Sequence, residues 1–418
     1  MQSIASNCET IPNCEKIPNF ETIPNCEKIV QSSIFSDEDN KKINDLTLII
    51  FGGVGYIGSL VSNFFVGSKI KKIISIDNLC EEKSLRRVRT LLGKDNYEQF
   101  QYDIIKDKEA IEELIENEEP DAILYLAQSS SKFKLTYDPD LYLQELNKFK
   151  IAIEMAGICE SKFIYASSID VYEPFSGPKS NIYTLLSKNF ELMAKTYSEF
   201  YNITTVGLRL ADVYGPDQKY KMKNSENEYE MPIIPQIIKK ALKNKEIVLW
   251  SPRKLYNPCF VEDCALAIAK FIIGENNENS VCDICDDTMY ISESALAKLV
   301  KILCNSTSNV SYALGENYPL YDDDELKIVK ENDYKFPDDE DIYSPKFSDD
   351  SSLIDDDINN ILKMNYIAGD TMSCVEKIGF YPNTNIINGL MATIDFYRKT
   401  LEFKRNIKSQ IKEQIRSD

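Results

Sequence analysis

The chain has 418 residues, 43% of them hydrophobic and 28% charged, so it can bury a substantial core and has room for two or three domains. A formal net charge of −19 argues against a nucleic-acid partner, because gripping phosphates takes an excess of lysine and arginine. The absence of histidine excludes serine-histidine and cysteine-histidine hydrolases, and eleven scattered cysteines, an odd number, read as reduced thiols. Cys282 and Cys285 are the one close pair; without a second pair or a histidine, no metal site is expected. The first residues lack a basic, then apolar, leader and the apolar runs are too short to span a bilayer, so a cytoplasmic protein without a membrane partner is expected.

In chain order, four near-copies of a hexapeptide begin at Asn7, Asn13, Asn19 and Asn25. They carry few large apolar residues, so residues 1–44 are expected to form a mobile extension. From Thr47 apolar runs at 47–51, 72–77, 98–102, 121–126, 162–167 and 203–209 alternate with helical patterns at 56–66, 107–117, 140–158 and 183–201. This βα rhythm predicts an α/β fold with a Rossmann-like, doubly wound parallel sheet over residues 45–216. After Gly215-Pro216 helical stretches near 232–244, 262–273 and 292–304 mix with short strands. They predict a smaller C-terminal α/β domain over 217–405, partly interleaved with the first and seated over its crevice. Residues 318–364 are densely acidic and are expected to be a solvated insertion. A closing helix is expected to end near Arg405, leaving a charged tail at 406–418.

Phe51 to Gly58 reads F-G-G-V-G-Y-I-G directly behind the first apolar run, and Asp77 closes the second run nineteen residues beyond Gly58. Glycines there permit a tight strand-to-helix turn, bring backbone N–H groups to a pyrophosphate at the positive helix end, and let helix and sheet pack closely. A carboxylate at Asp77 accepts ribose hydroxyls and repels a 2′-phosphate, which favours NAD over NADP. The segment fits both Gly53-x-Gly55-x-x-Gly58 and Gly52-x-x-Gly55-x-x-Gly58, so the loop alone does not select between dehydrogenase classes.

Further blocks follow in order: Ile76-Asp-Asn-Leu79, Asp121-Ala-Ile-Leu-Tyr-Leu-Ala127, Tyr165-Ala-Ser-Ser168, Glu191-Leu-Met-Ala-Lys-Thr-Tyr197, Gly207-Leu-Arg209, Val213-Tyr-Gly-Pro216, Phe260-Val-Glu-Asp263 and Glu376-Lys-Ile-Gly-Phe380. With the glycine loop, they make the chain resemble an extended short-chain dehydrogenase/reductase of the NAD-dependent epimerase/dehydratase family, most similar to the UDP-glucuronate 4-epimerases within it. The resemblance implies NAD as cofactor, held by Gly52, Gly55, Tyr56, Ile57, Gly58, Asp77, Asn78, Asp103, Ile104, Leu126 and Ala127. It implies a UDP-sugar substrate oxidised transiently at C4, with Tyr183 as acid and base and Ser168 orienting the same oxygen. It implies Arg209 at the substrate and a homodimer paired through the helices at 140–158 and 183–201; Arg253, close in sequence to where the family has its diphosphate arginine, is the candidate substitute for it.

The chain departs from the family pattern at several of these positions. Four residues after Tyr183, where the family has a lysine, stands Ser187; Lys188 is adjacent but some 100° further round a helix. Tyr256-Asn257 replaces an Arg-Asp pair, Glu173 replaces a glycine, and the helix at 140–158 lacks the family's asparagine in register. A tyrosine with its ordinary pKa is ionised to roughly one part in a thousand at pH 7. A catalytically impaired protein that keeps NAD and acts by binding is therefore the alternative expectation.

Overall fold

The computed structural model describes residues 35–79, 84–129, 135, 138–172, 182–218, 232–249, 254–275, 279–286, 289–314, 327–330, 372–382 and 384–417. The hexapeptide repeats, Arg253 and most of the acidic insertion lie outside these residues. Two compact units emerge: residues 1–211, 261–284 and 370–382 form one, and residues 212–260, 285–369 and 383–418 the other.

The first unit is built on seven parallel strands: β1 Thr47–Phe51, β2 Lys72–Asp77, β3 Tyr97–Gln101, β4 Ala122–Tyr125, β5 Lys162–Ser168, β6 Thr205–Leu210 and β7 Ser280–Ile284, in spatial order β7-β6-β5-β4-β1-β2-β3. All five residues of β1 are buried. A strand covered on both faces needs such a continuous apolar run, which is why the runs read from sequence coincide with the central strands. The helices are α1 Asp37–Asp45, α2 Tyr56–Gly67, α3 Lys108–Glu118, α4 Pro139–Ile158, α5 Ile182–Tyr201, α6 Val261–Ile273 and α7 Met372–Ile378.

Side chains alternate across a strand, so each sheet face receives its own helices. Ile49, Phe51, Ile74, Ile76, Ile123, Tyr125, Phe163 and Tyr165 share one core with residues of α3, α4 and α5. At its centre Phe149 of α4 stacks on Phe190 of α5, ring centroids 4.2 Å apart and 8° from parallel. Helices α2 and α6 pack together, and α1 packs on α6.

Two expectations at the chain's margins are corrected here. The extension was expected to run to residue 44, yet Phe35 is buried and stacked on Phe65, and α1 opens on a capping box. Ser36 accepts from the Asp39 N–H while Asp39 accepts from the Ser36 N–H. The closing helix, expected to stop near Arg405, runs as Ile386–Ser417 and takes in the supposed charged tail.

The second unit places helices Ile233–Ala241, Glu293–Cys304 and Ile386–Ser417 around a separate core of Ile237, Ile238, Leu296, Leu299 and Leu390. Asp212–Tyr214 pairs parallel with Pro258–Phe260, and Ile247–Leu249, Val310–Leu314 and Lys327–Lys330 form a three-stranded sheet. The last of these strands lies inside the segment expected to be a solvated loop.

Candidate active site

In a doubly wound sheet the chain leaves its starting strand in both directions, and the crevice where it does so is the natural ligand site. Here β1 is flanked by β2 on one side and β4 on the other. The parallel register places Phe51 opposite both Ile76 and Tyr125, so the segments after β1, β2 and β4 emerge at one edge.

The first of these segments is the glycine turn. Gly52 sits at φ +83°, a conformation other residues reach only with strain, and its N–H donates to the Ile76 carbonyl at 2.8 Å. A Cβ on Gly52 would stand 2.8 Å from the Leu126 carbonyl oxygen, so the turn and the start of the segment after β4 lie in contact. Gly58 meets the Gly52 carbonyl so closely that a Cβ there would fall 2.5 Å from it, which pins the first turn of α2 to the strand end. Gly55 is the residue before α2; no side chain caps the helix there, and no acidic residue stands in its first turn. A helix N-terminus left with its N–H groups and positive dipole end suits an anion such as a pyrophosphate. Tyr56 and Ile57 are half-buried in that turn.

Asp77 ends β2, half-buried, and one carboxylate oxygen accepts from the Leu79 N–H at 2.9 Å, which fixes the side chain at the strand end. Asn78 beside it is exposed. Asp103 follows β3 and accepts from the N–H groups of Ile105 and Lys106 at 3.0 and 3.1 Å, so it shapes the turn into α3, with Ile104 buried behind it. Leu126 and Ala127 are half-buried. The glycine cradle, the helix end and the strand-end carboxylate together fit an adenine dinucleotide.

Ser168 and the helical turn next to Tyr183 are joined through Asp170 and Thr184. The Ser168 hydroxyl accepts from the Asp170 N–H at 3.1 Å, and the Asp170 carbonyl accepts from Thr184 at 2.9 Å. Tyr183 is 8% exposed and its hydroxyl donates to the Ser129 carbonyl. Burial, Glu145 and Asp170 all push that hydroxyl well above the usual tyrosine range, the reverse of what a base requires.

Lys188 and Arg209 each have a definite place in the fold. α5 is a continuous α-helix in which Ser187 is 1% exposed while Lys188 faces outward, so Lys188 does not stand in for the missing lysine. Arg209 is paired within the fold. Its Nε and one terminal nitrogen donate to the two oxygens of Glu191 at 2.8 and 2.7 Å, and its other nitrogen donates to the Tyr172 hydroxyl at 2.8 Å. Ser167 donates to the same Glu191, and Tyr172 donates to Asp283, so the guanidinium ties β5, β6, β7 and α5 together. Glu145, unmarked in the sequence reading, is 1% exposed beside Ser129 and Tyr183. Its signal was present: it falls on the apolar face of α4 between Leu141 and Phe149, four residues from each.

Cys159, Cys259, Cys264, Cys282, Cys285, Cys304 and Cys374 are thiols, and no cluster that could hold a metal ion is found among the described residues. No helix among them is long and apolar enough to cross a membrane.

A parallel, doubly wound sheet with a glycine turn at its switch point and an acid closing the next strand defines a Rossmann-type dinucleotide-binding protein. The sequence model of the NAD dependent epimerase/dehydratase family matches residues 48–282, more than half of the chain, and the chain belongs to that family. NAD is thus the cofactor of its family. Among relatives, dTDP-D-glucose 4,6-dehydratase of Bos taurus is 26% identical over 314 residues, 69% of this chain and 80% of the relative. Protein CapI of Staphylococcus aureus is 28% identical over 189 residues, 41% of this chain and 55% of CapI. The fold is shared with the Bordetella bronchiseptica enzyme WbmF in complex with NAD+ and UDP, at 16% identity and a TM-score of 0.64 over 90% of this chain and 99% of that one.

Proposed function

We propose that the chain acts on a nucleotide sugar with NAD, in the manner of a UDP-hexuronate 4-epimerase, by transient oxidation at the sugar C4. The observation that carries this reading is the gathering, at one edge of one sheet, of the helix end behind Gly52, Gly55 and Gly58 and the strand-end Asp77, with Ser168 at the end of β5 joined through Asp170 to the first turn of α5, which carries Tyr183. Gly52, Gly55, Tyr56, Ile57 and Gly58 would hold the pyrophosphate, Asp77 and Asn78 the adenosine ribose, Asp103 and Ile104 the adenine edge, and Leu126 and Ala127 the crevice wall. Bound NAD supplies the acceptor and donor of hydride. Tyr183 moves the proton of the sugar hydroxyl, and Ser168 holds that oxygen in line. Arg253 is the proposed partner of the nucleotide diphosphate, since Arg209 is committed within the fold. Leu143 and Ile158 on α4 and Leu192 and Phe200 on α5 are exposed apolar residues, which supports pairing of these helices in a homodimer.

A second reading is favoured by Ser187 in the lysine position and by the two carboxylates near Tyr183: a protein that keeps NAD but has lost most of its chemistry. Purification of the full chain with assay of bound NAD, followed by turnover of UDP-glucuronate in wild type and Tyr183→Phe, separates the two. Bound NAD with turnover reduced at least a hundredfold in Tyr183→Phe supports the epimerase. Bound NAD with equal, negligible rates supports the second reading, and no affinity for NAD overturns both.

A further inference from the structure

We propose that Ser75 is a positioning residue for the cofactor: the glycine turn rests on its side chain, whose size sets where the N-terminal end of α2 meets a dinucleotide's pyrophosphate. β2 reads Lys72-Ile-Ile-Ser-Ile-Asp77, and its four inner residues are all buried. A strand covered on both faces favours branched apolar side chains throughout, so the small polar Ser75, 0% exposed, is the exception in the run. It stands in register between Ile50 of β1 and Gln99 of β3. Its neighbours Ile74 and Ile76 belong to the core shared with α3, α4 and α5, so Ser75 points to the other face of the sheet. There the Tyr97 hydroxyl stands beside that of Ser75 and donates its own hydrogen to Gln99 Oε1 at 2.9 Å.

Gly53 lies against this side chain. A Cβ on Gly53 would fall 2.1 Å from the Ser75 hydroxyl oxygen and 2.8 Å from the Ser75 Cβ, whereas the Ile50 carbonyl oxygen would be 3.4 Å away. The other glycines of the turn are hemmed in by backbone: Gly52 by the Leu126 carbonyl, and Gly55 and Gly58 by the Gly52 carbonyl. Of the four, only Gly53 is confined by a side chain, and that side chain is Ser75. Hydrogen bonds hold the turn down on the strand. The Gly52 N–H donates at 2.8 Å to the carbonyl of Ile76, the residue after Ser75, and the Gly55 N–H donates at 3.0 Å to the Gly52 carbonyl. The contact between residues 53 and 75 therefore sets the height of the turn over β2, and α2 opens directly after Gly55. A bulkier residue at either position would strain the Gly52–Ile76 bond and shift the uncapped helix end relative to Asp77, two residues beyond Ser75 on the same strand.

The inference rests on the proposed reading of the turn as the pyrophosphate seat, and on neither the sugar nor Tyr183. NAD affinity of the full chain is measured by calorimetry, and unfolding of the NAD-free chain in urea, for wild type, Ser75→Val, Gly53→Ala, Ser75→Gly and the double variant. Ser75→Val and Gly53→Ala should each weaken NAD binding roughly tenfold or more. Adding Ser75→Gly to Gly53→Ala should bring the affinity back to within about threefold of Ser75→Gly alone, because only the 3.4 Å contact with the Ile50 carbonyl then remains. Gly52→Ala, which meets backbone, should gain nothing from Ser75→Gly. A role in stability alone would shift the urea midpoints and leave the NAD affinities of the folded variants equal. That result overturns the proposal, as does a double variant that binds no better than Gly53→Ala. Wild type without NAD affinity overturns the reading of the turn and the proposal with it, whereas NAD binding in wild type without rescue overturns the proposal alone. Should the double variant fail to fold, Ser75→Val and Gly53→Ala decide, and wild-type affinity in either one overturns the proposal.

Discussion

A guanidinium at the end of a strand belongs to whichever carboxylate reaches it with matching geometry, and for Arg209 that is Glu191, eighteen residues away in sequence. Nothing in Gly207-Leu-Arg209 distinguishes an arginine aimed at a diphosphate from one that staples a helix to the sheet; only the position of α5 does. Because the pair is bidentate, lysine is a poor replacement. Arg209→Lys is expected to lower stability by about 1–2 kcal/mol in urea unfolding while leaving UDP affinity by calorimetry unchanged. Lys162 is a second residue whose role is set by a distant partner. Its ammonium donates to the carbonyls of Phe271 and Gly274 at the end of α6, at 2.6 and 2.8 Å, and burial pushes it down from 10.5 to about 8. Below pH 8 it is charged in both folded and unfolded chains, and its burial penalty is fully present. Between about pH 8 and 10.5 the unfolded chain holds more protons, so this group's contribution to stability rises with pH. Unfolding free energies measured across that window should show the rise in wild type and lack it in Lys162→Met.

Elements were legible where their signals are local. The strands β1 and β2 fall at the residues read from the apolar runs, and the helices α2 to α5 begin and end within a residue or two of the expected bounds. α1 escaped because its sequence, Asp37 to Asp45, has a single buried side chain in the helix proper, Ile43, and so shows no apolar stripe. Its signature is instead the reciprocal cap at Ser36 and Asp39. Ser36→Ala should therefore cost about 1 kcal/mol, read by urea unfolding monitored through circular dichroism. The Tyr183 turn of α5 gave a mixed result. Helical geometry predicted that residue 188 leaves the face of residue 183, and Lys188 is exposed. That α4 would set the buried Glu145 close to Tyr183 was not legible, because α4 and α5 meet only after folding.

At the scale of the molecule, the chain makes two units, each from three separated stretches that alternate along the sequence. β7 completes the first sheet from residues some seventy positions beyond β6, pairing Ser280 with Val206 and Ile284 with Leu210. A ligand that binds this folded unit and not the unfolded chain stabilises it by mass action. At free NAD a hundredfold above its dissociation constant the gain should be about 2.7 kcal/mol, seen as a rise in melting temperature that Asp77→Ala diminishes. The sequence by itself determined the parallel βα order, the glycine turn and the acid at the end of β2, because strand periodicity, turn conformation and helix-end chemistry act between near neighbours in the chain. The partners of Arg209, Lys162, Glu145 and Tyr183 were decided only by the tertiary structure. Apart from Lys148, on the same helix as Glu145, these partners lie on other segments, 54 residues away for Tyr183 and Ser129 and more than a hundred for Lys162 and Phe271. A buried polar group is assigned its work by whichever atom the fold sets beside it.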